Sequence, residues 1–504
     1  MSEDRYAYVD TGAVRIQQYL ARTPTLRGHR AASHQLAEAT SRPLIKRVVD
    51  GLAEVNPEAG DADGVVSLRL PVPEGASGAG ERVEDRVWRV QDRVLAHLRQ
   101  SLPAAEFQSA WGEGTSYLSV YATILRPRTR RGEVRYDLPA TAEFPAASLC
   151  RGCRTDPAVE VQKVQDERLA LCLDCAMRNV ARTQTAYNPL TPEGWLREQL
   201  GLGGDDAVDN FSDLAALGAP AGGRKANHLA TIAVDGNAFG VFFSALAQAA
   251  QADPGLRAAK DQVSRDLASA AREALLYATL ELPLTTEREQ LCVVPHVVGG
   301  DDVVVTLPAD QAWRFVRLYL RDFAQRVEKA TAGVLPALTA WREGRGGPSP
   351  APTVPTASAG MVFAHATHPI GLQVEAAGRC LSAAKGAFRG RLASVHWQDI
   401  TADGPDAPGH PPVELSVLDD GTDRPTAAAS ALDRLVRIPA SHRARLAEAL
   451  RSGGPVTAAV QADRVGHLAA IRPFLPPLQR LEGHPPSGLD LGAALGMARW
   501  WPCA

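Results

Sequence analysis

The stretch from Pro295 to Leu307 leaves this chain few structural options. Val297 and Val298, then Val303, Val304 and Val305, are β-branched residues suited to a pleated, buried surface. Gly299 and Gly300 stand between them and supply the positive φ values of a tight hairpin turn. Asp301 and Asp302 follow at once, so a hairpin here carries two carboxylates at its tip. Adjacent carboxylates repel, and beyond a solvated turn their use is to ligate a hard divalent cation through oxygen. Alone, the four residues Gly299 to Asp302 fit a polar turn equally well, and the partner across the site has to decide.

The same order of elements occurs twice. Leu229 to Asp235 reads as a strand ending in aspartate, and Gly236-Asn-Ala-Phe-Gly240 turns into a helical segment reaching Leu282 with a break at Asp253-Pro254. The acidic hairpin comes next, then a helix from Ala309 to about Leu335 and a strand at Ala357 to His365. Earlier, Tyr6 to Val9 leads into Asp10, and a helical stretch runs from Val14 to about Val49 with breaks near Pro24 and Pro43. Asp61 and Asp63 lie in an acidic turn before the strand Val65 to Leu70. Val83, Val87, Val90, Val94 and Leu98 mark one face of a helix from Glu81 to about Leu102. Strand, helix, hairpin, helix, strand is a ferredoxin-like order, so the predicted fold is α+β with two such modules, the first degenerate.

In a ferredoxin-like sheet the first strand lies beside the central hairpin, which brings Asp235 opposite Asp301 and Asp302. Three carboxylates there suit two Mg²⁺ or Mn²⁺ ions, and such a pair activates a hydroxyl, neutralises a triphosphate and steadies the leaving pyrophosphate. That chemistry is nucleotidyl transfer. Gly236 and Gly240 let backbone amides approach phosphate. Gly203-Gly-Asp-Asp206 repeats the four letters without β-branched flanks and reads as loop. Arg126 to Arg131, the most basic short run, reads as a solvated loop, with an RNA phosphate contact as the sharper alternative.

Cys150-Arg-Gly-Cys153 and Cys172-Leu-Asp-Cys175 are the second firm signal. Two Cys-x-x-Cys knuckles close a tetrahedral zinc site with no open position, which is a structural arrangement. Cys292, Cys380 and Cys503 are isolated and read as ordinary core or terminal residues. A net charge of −3 announces neither nucleic acid nor membrane binding, and no apolar run approaches the ~18 residues of a membrane span. Free thiols in knuckles and the lack of a signal-like start point to the cytoplasm. Arg345 to Pro352 reads as a flexible loop, Gly371 to Phe388 as a helix and Leu392 to Trp397 as an edge strand, with helices from about Ala427. Expected boundaries are 1–144 for the first module, 145–200 for the zinc module and linker, 201–404 for the second module and 405–504 for a C-terminal helical domain.

Together these residues resemble the large palm-domain polymerase/cyclase subunit of type III CRISPR effector complexes, of the Csm/Cmr type, or a related stand-alone defence cyclase. Ile16, Gln17, Tyr19, Leu20, Leu26, Arg27, Gly28 and Ser33 are similar to that family's first-palm signature, and the four cysteines to its inter-palm zinc motif. Asp235 to Gly240, Gly299 to Asp302, Ser358-Ala-Gly360, His368-Pro369 and Ala384-Lys385 follow in its order. The resemblance implies two palm domains and conversion of ATP into 3′–5′ cyclic oligoadenylates, an antiviral second messenger, within an RNA-guided complex of other subunits and guide and target RNA. It implies Mg²⁺ at Asp235, Asp301 and Asp302, nucleotide contacts from Gly236, Asn237, Gly240, Gly299 and Gly300, Ser358 facing adenine and Lys385 near phosphate. Asn237 stands where the family has a second aspartate, and an amide oxygen ligates metal more weakly. No His-Asp doublet of the family's nuclease domain occurs in the sequence, so no DNA cutting is expected. The alternatives are an inactive palm-domain scaffold or a GTP-using dinucleotide cyclase, the latter disfavoured by Val303 where a glutamate would follow the aspartate pair.

Overall fold

The computed structural model describes residues 5–501 apart from 60–63, 73–81, 140–147, 165–166, 182–187, 203–206, 219–225, 289–290, 344–353, 408, 423 and 477–487. Asp61, Asp63, the Gly203 to Asp206 stretch, the loop expected at Arg345 to Pro352 and Cys503 lie outside the described residues.

The first sheet holds β1 (Tyr6–Val14), β2 (Glu54–Val55), β3 (Val65–Pro71), β4 (Glu106–Gly114) and β5 (Arg135–Asp137), all antiparallel, in the order β2-β3-β1-β4-β5. Alternation on β1 turns Ala7 and Val9 toward helices Leu26–Thr40 and Val83–Ser101, whose Leu36, Val87, Val90, Val94 and Leu98 complete that core. Tyr8 and Asp10 therefore face the other way, toward Tyr117–Arg131. The first helix starts where Thr25 accepts the Gly28 N–H at 3.2 Å.

A hairpin of β6 (Glu160–Val164) and β7 (Glu167–Leu171), followed by helix Leu173–Ala181, carries the cysteine pairs. Arg178 anchors it to the first module. Its side chain is 2% exposed, pairs with Asp174 at 2.8 Å, donates to the Tyr19 carbonyl at 2.9 Å and lies over the Tyr19 ring.

The second sheet gathers β8 (His228–Asn237), β9 (Val294–Gly299), β10 (Asp302–Pro308), β11 (Thr356–His365), β12 (Ser394–Asp399) and β13 (Val413–Glu414) in the order β13-β12-β11-β8-β10-β9. Its strands β11-β8-β10-β9 repeat the ferredoxin-like order β4-β1-β3-β2 of the first sheet. β12 pairs parallel with β11 and is flanked by β13, so the strand expected at an edge is an interior one and the sheet reaches past the boundary expected at 404. Asp253 caps helix Pro254–Leu280 and ends the preceding helix Phe239–Ala252, as the Asp-Pro pair requires.

Parity decides what this sheet presents on each face. Ala230, Ile232, Val234, Val303 and Val305 meet the helices Phe239–Ala252, Pro254–Leu280 and Ala312–Thr331 in a core that continues into the C-terminal helices. Leu229, Ala233, Val304 and Val362 meet the first module and helix Ile370–Ala387. Asp235, Asp302 and Ser358 share the parity of that second set. Each buried valine of the hairpin contributes about 1.5–3 kcal/mol, and a one-residue slip would turn Asp302 into the helix-packed core. The register of the acidic residues is thus held by the valines beside them.

Candidate active site

The hairpin turns tightly. Gly299 pairs with Asp302, leaving Gly300 and Asp301 as the two-residue turn, and Gly300 has φ 62° while Gly299 does not take positive φ. One register step beyond the Val303–Val234 pair, Asp302 stands beside Asp235. A Cβ at Gly236 would run into an Asp301 carboxylate oxygen and the Phe239 ring, so glycine is what lets the tip close over the end of β8. The strand passes into helix Phe239–Ala252 through Ala238, whose φ of 63° is a left-handed conformation costing about 1–2 kcal/mol in a non-glycine residue.

The electrostatics follow from crowding. Loss of solvent and then the Asp235 charge raise the Asp301 carboxyl, while Lys385 and Arg126 hold it back. Loss of solvent and then the carboxylates of Asp235 and Asp301 push Asp302 up to about 8, although its side chain keeps one side open to water. Asp302 and Asp235 lie close enough to share a proton. Lys385, on helix Ile370–Ala387, donates to Asp235 Oδ2 and to the Gly236 carbonyl at 2.8 Å. Gly360 makes this reach possible, since a Cβ there would strike the backbone of Ala377 and Leu381 and lift the helix off β11.

Asn237 and Ser358 are placed differently from the acids. Asn237 is 2% exposed, and its amide nitrogen donates to Thr356 Oγ1 at 3.0 Å, Ser358 Oγ at 2.9 Å and the Leu392 carbonyl at 3.0 Å. Its amide oxygen has no partner among the described residues. Ser358 is wholly buried and also contacts Ser394 Oγ at 2.9 Å. Both side chains tie strand ends together beneath the acidic tip.

Two further residues stand at the site without having been placed there from the sequence. Arg126 belongs to a helical turn, Arg126–Arg131, where a loop was expected, and a Cβ at Gly240 would land on its guanidinium. A first-module cation thus presses on the start of a second-module helix, and its charge reaches Asp301. A groove of about 540 Å³ opens beside it, lined by Arg126, Arg130, Gly240, Ser244, Gln248 and Trp341. Tyr319, on helix Ala312–Thr331, is fully buried with an unpartnered hydroxyl, which burial and the charges of Asp301 and Asp302 hold well above its ordinary pKa. Nothing local in either sequence context marks these contacts.

The donor chemistry fits both kinds of metal. Three oxygen-bearing carboxylates with one ammonium between them leave negative charge for a hard cation, and Lys385 is a stand-in ion at the place one would take. The fit is looser than for the thiols: among the described residues, only Cys150, Cys153, Cys172 and Cys175 bring three or more such ligand atoms all within 4.8 Å of one another. Cys153 Sγ and Cys172 Sγ are 3.8 Å apart, the edge of a tetrahedron with Zn–S of about 2.3 Å. The Gly152 and Cys175 N–H groups point at Cys150 and Cys172 sulfurs. The cluster can hold zinc. Among the described residues no helix is long and apolar enough to cross a membrane.

Residues 228–393 match the family described as Cas10/Cmr2, second palm domain. No curated protein matches the chain. Among solved structures, the fold is similar to a Csm1–Csm4 cassette in complex with cA4, with TM-score 0.56 and 12% identity over 98% of this chain and 70% of that one. It is similar to an apo Csm1–Csm4 cassette, with TM-score 0.54 and 14% identity over 98% and 70%. A type III-B Cmr-beta complex in its apo state gives TM-score 0.51 and 10% identity over 97% and 79%.

Proposed function

We propose that residues 228–393, which match the second palm domain of the Cas10/Cmr2 kind, form a Mg²⁺-dependent nucleotidyl cyclase making cyclic oligoadenylate from ATP. The observation that carries this reading is the convergence of Asp235, Asp301 and Asp302 on one sheet face, where loss of solvent and then the Asp235 charge raise Asp301, and loss of solvent and then the charges of Asp235 and Asp301 raise Asp302. The likeness to a cassette holding cA4 supports ATP as substrate and a type III effector complex, with its other subunits and RNA, as setting.

Bound divalent cations would neutralise the triphosphate and lower the pKa of the attacking 3′-hydroxyl. Asp235, Asp301 and Asp302 would hold them. Gly236 lies under Asp301 and Gly240 under the Arg126 guanidinium, and Lys385 and Arg126 are the cations that would meet a phosphate chain there. Among the described residues no side chain is placed as a general base for the hydroxyl, so their contribution is positioning and charge. The four cysteines would hold a structural zinc.

A second reading, an inactive scaffold, is favoured by Asn237, which is bound into the sheet rather than turned to the acids. GTP use remains the lesser alternative. Incubating the chain with ATP or GTP and Mg²⁺, with and without candidate RNA partners, and analysing products by mass spectrometry separates the three. Cyclic oligoadenylate that disappears in Asp301→Ala/Asp302→Ala is the expected result. Absence of product under every condition leaves the scaffold.

A further inference from the structure

This inference rests on the reading of Asp235, Asp301 and Asp302 as a cation-binding triad, and concerns what occupies it before nucleotide arrives. Lys385 stands in the last turn of helix Ile370–Ala387, which covers the acidic face of the sheet. Its ammonium contacts two oxygens, a carboxylate of Asp235 and the carbonyl of Gly236. That pair of donors is of the kind a hard cation selects. Among the described residues Lys385 is the cation paired with Asp235, and its side chain is 24% exposed against 36% for Asp235. The contact is therefore reachable from solvent. An ammonium on a four-carbon stem moves without moving its helix, unlike a residue whose backbone is part of the site.

We propose that Lys385 is an exchangeable counter-ion, holding the cation position at Asp235 in the nucleotide-free molecule and releasing that carboxylate to a divalent metal when a triphosphate draws the ammonium away. Metal alone has to displace the ammonium. Metal arriving with a triphosphate does not, because the phosphate oxygens take over the lysine. Metal and nucleotide binding are thereby coupled, and the site stays closed to metal between turnovers. A merely structural ion pair tying helix Ile370–Ala387 to β8 would give no such coupling.

The test is Mn²⁺ titration of the nucleotide-free chain followed by electron paramagnetic resonance. Lys385→Met is expected to bind Mn²⁺ about fivefold more tightly than wild type, the upper size of one lost competing ion pair that solvent reaches. Lys385→Arg, which keeps the charge, should stay within about twofold of wild type. The gain should vanish in Lys385→Met/Asp235→Asn. A non-hydrolysable ATP analogue should tighten Mn²⁺ binding in wild type more than in Lys385→Met. Equal Mn²⁺ affinity in wild type and Lys385→Met, or a gain that survives Asp235→Asn, overturns the proposal. Lys385→Ala serves in place of Lys385→Met if thermal unfolding shows the latter misfolded. The readout needs no turnover: this pattern in a chain without ATP activity keeps the counter-ion and sinks the cyclase, and a working cyclase indifferent to residue 385 does the reverse.

Discussion

Two sheets that share a four-strand order carry an aspartate on the face turned away from their own paired helices, and the two aspartates have opposite fates. Asp10 faces Ser67 across the β1–β3 ladder. One of its oxygens accepts from Ser67 Oγ at 2.6 Å and the other from the Tyr117 hydroxyl at 2.9 Å, and burial pushes its carboxyl up to about 6. Glu58 closes the surroundings by accepting from the Tyr8 hydroxyl and the Tyr117 N–H, both at 2.9 Å. Asp235 instead faces Asp302, with Asp301 at the tip, Lys385 paired to Asp235 and the Arg126 charge reaching Asp301. Neutral hydroxyls satisfy a carboxylate without leaving charge over, whereas three carboxylates with these two cations leave a deficit that a metal can fill. The fold is shared and the chemistry lies in which groups stand opposite the aspartate. The modules also meet, since Tyr121 feels the charges of both Asp10 and Asp301 and of Arg126 between them.

Converting the first site toward the second should be costly. Ser67→Asp puts a second carboxylate against Asp10 with no lysine to offset it, and a loss of about 3–5 kcal/mol is expected in urea unfolding at pH 8; a neutral result would show that the first face tolerates charge as the second does. Asn237→Asp tests the other side. It gives the second site a further aspartate, but removes the donor to the Leu392 carbonyl and buries a charge in a 2% exposed side chain, so a loss of about 2–3 kcal/mol is expected. The smallest effect belongs to Asp10→Asn. The folded-state pKa of Asp10, about 6, lies above its ordinary 3.8, so the folded chain binds more protons between those values and its stability falls as pH rises through that window. Removing the charge should leave the protein unchanged near pH 4 and more stable by about 1–2 kcal/mol at pH 8, after one hydroxyl loses its acceptor. A variant less stable at pH 8 would mean that the charged form is the favoured one.

The sequence showed whatever is written locally. The valine runs set the acidic hairpin, Asp253-Pro254 set a helix boundary, and the cysteine spacing set the knuckles. Tertiary placement was less legible. Arg126 reads as one of a solvated basic run, because nothing near it shows that Gly240 leaves room for its guanidinium. Asn237 has the right position for a ligand, yet Thr356, Ser358 and Leu392, far along the chain, turn its amide into the sheet. β4 escaped as a strand because Glu106 to Gly114 is rich in polar and small residues, and its strand character comes from pairing with β1 along its whole length. β13 is two residues long and has no periodicity to detect.

The difference between the two aspartates is tested most directly by making the same change at each. Asp10→Asn and Asp235→Asn, with the wild-type chain, are incubated with ATP and Mg²⁺ under the conditions that support turnover, and products are identified by mass spectrometry. Cyclic oligoadenylate from wild type and Asp10→Asn, with none from Asp235→Asn, is the expected result. Undiminished product from Asp235→Asn, or loss of product in Asp10→Asn alone, would contradict it.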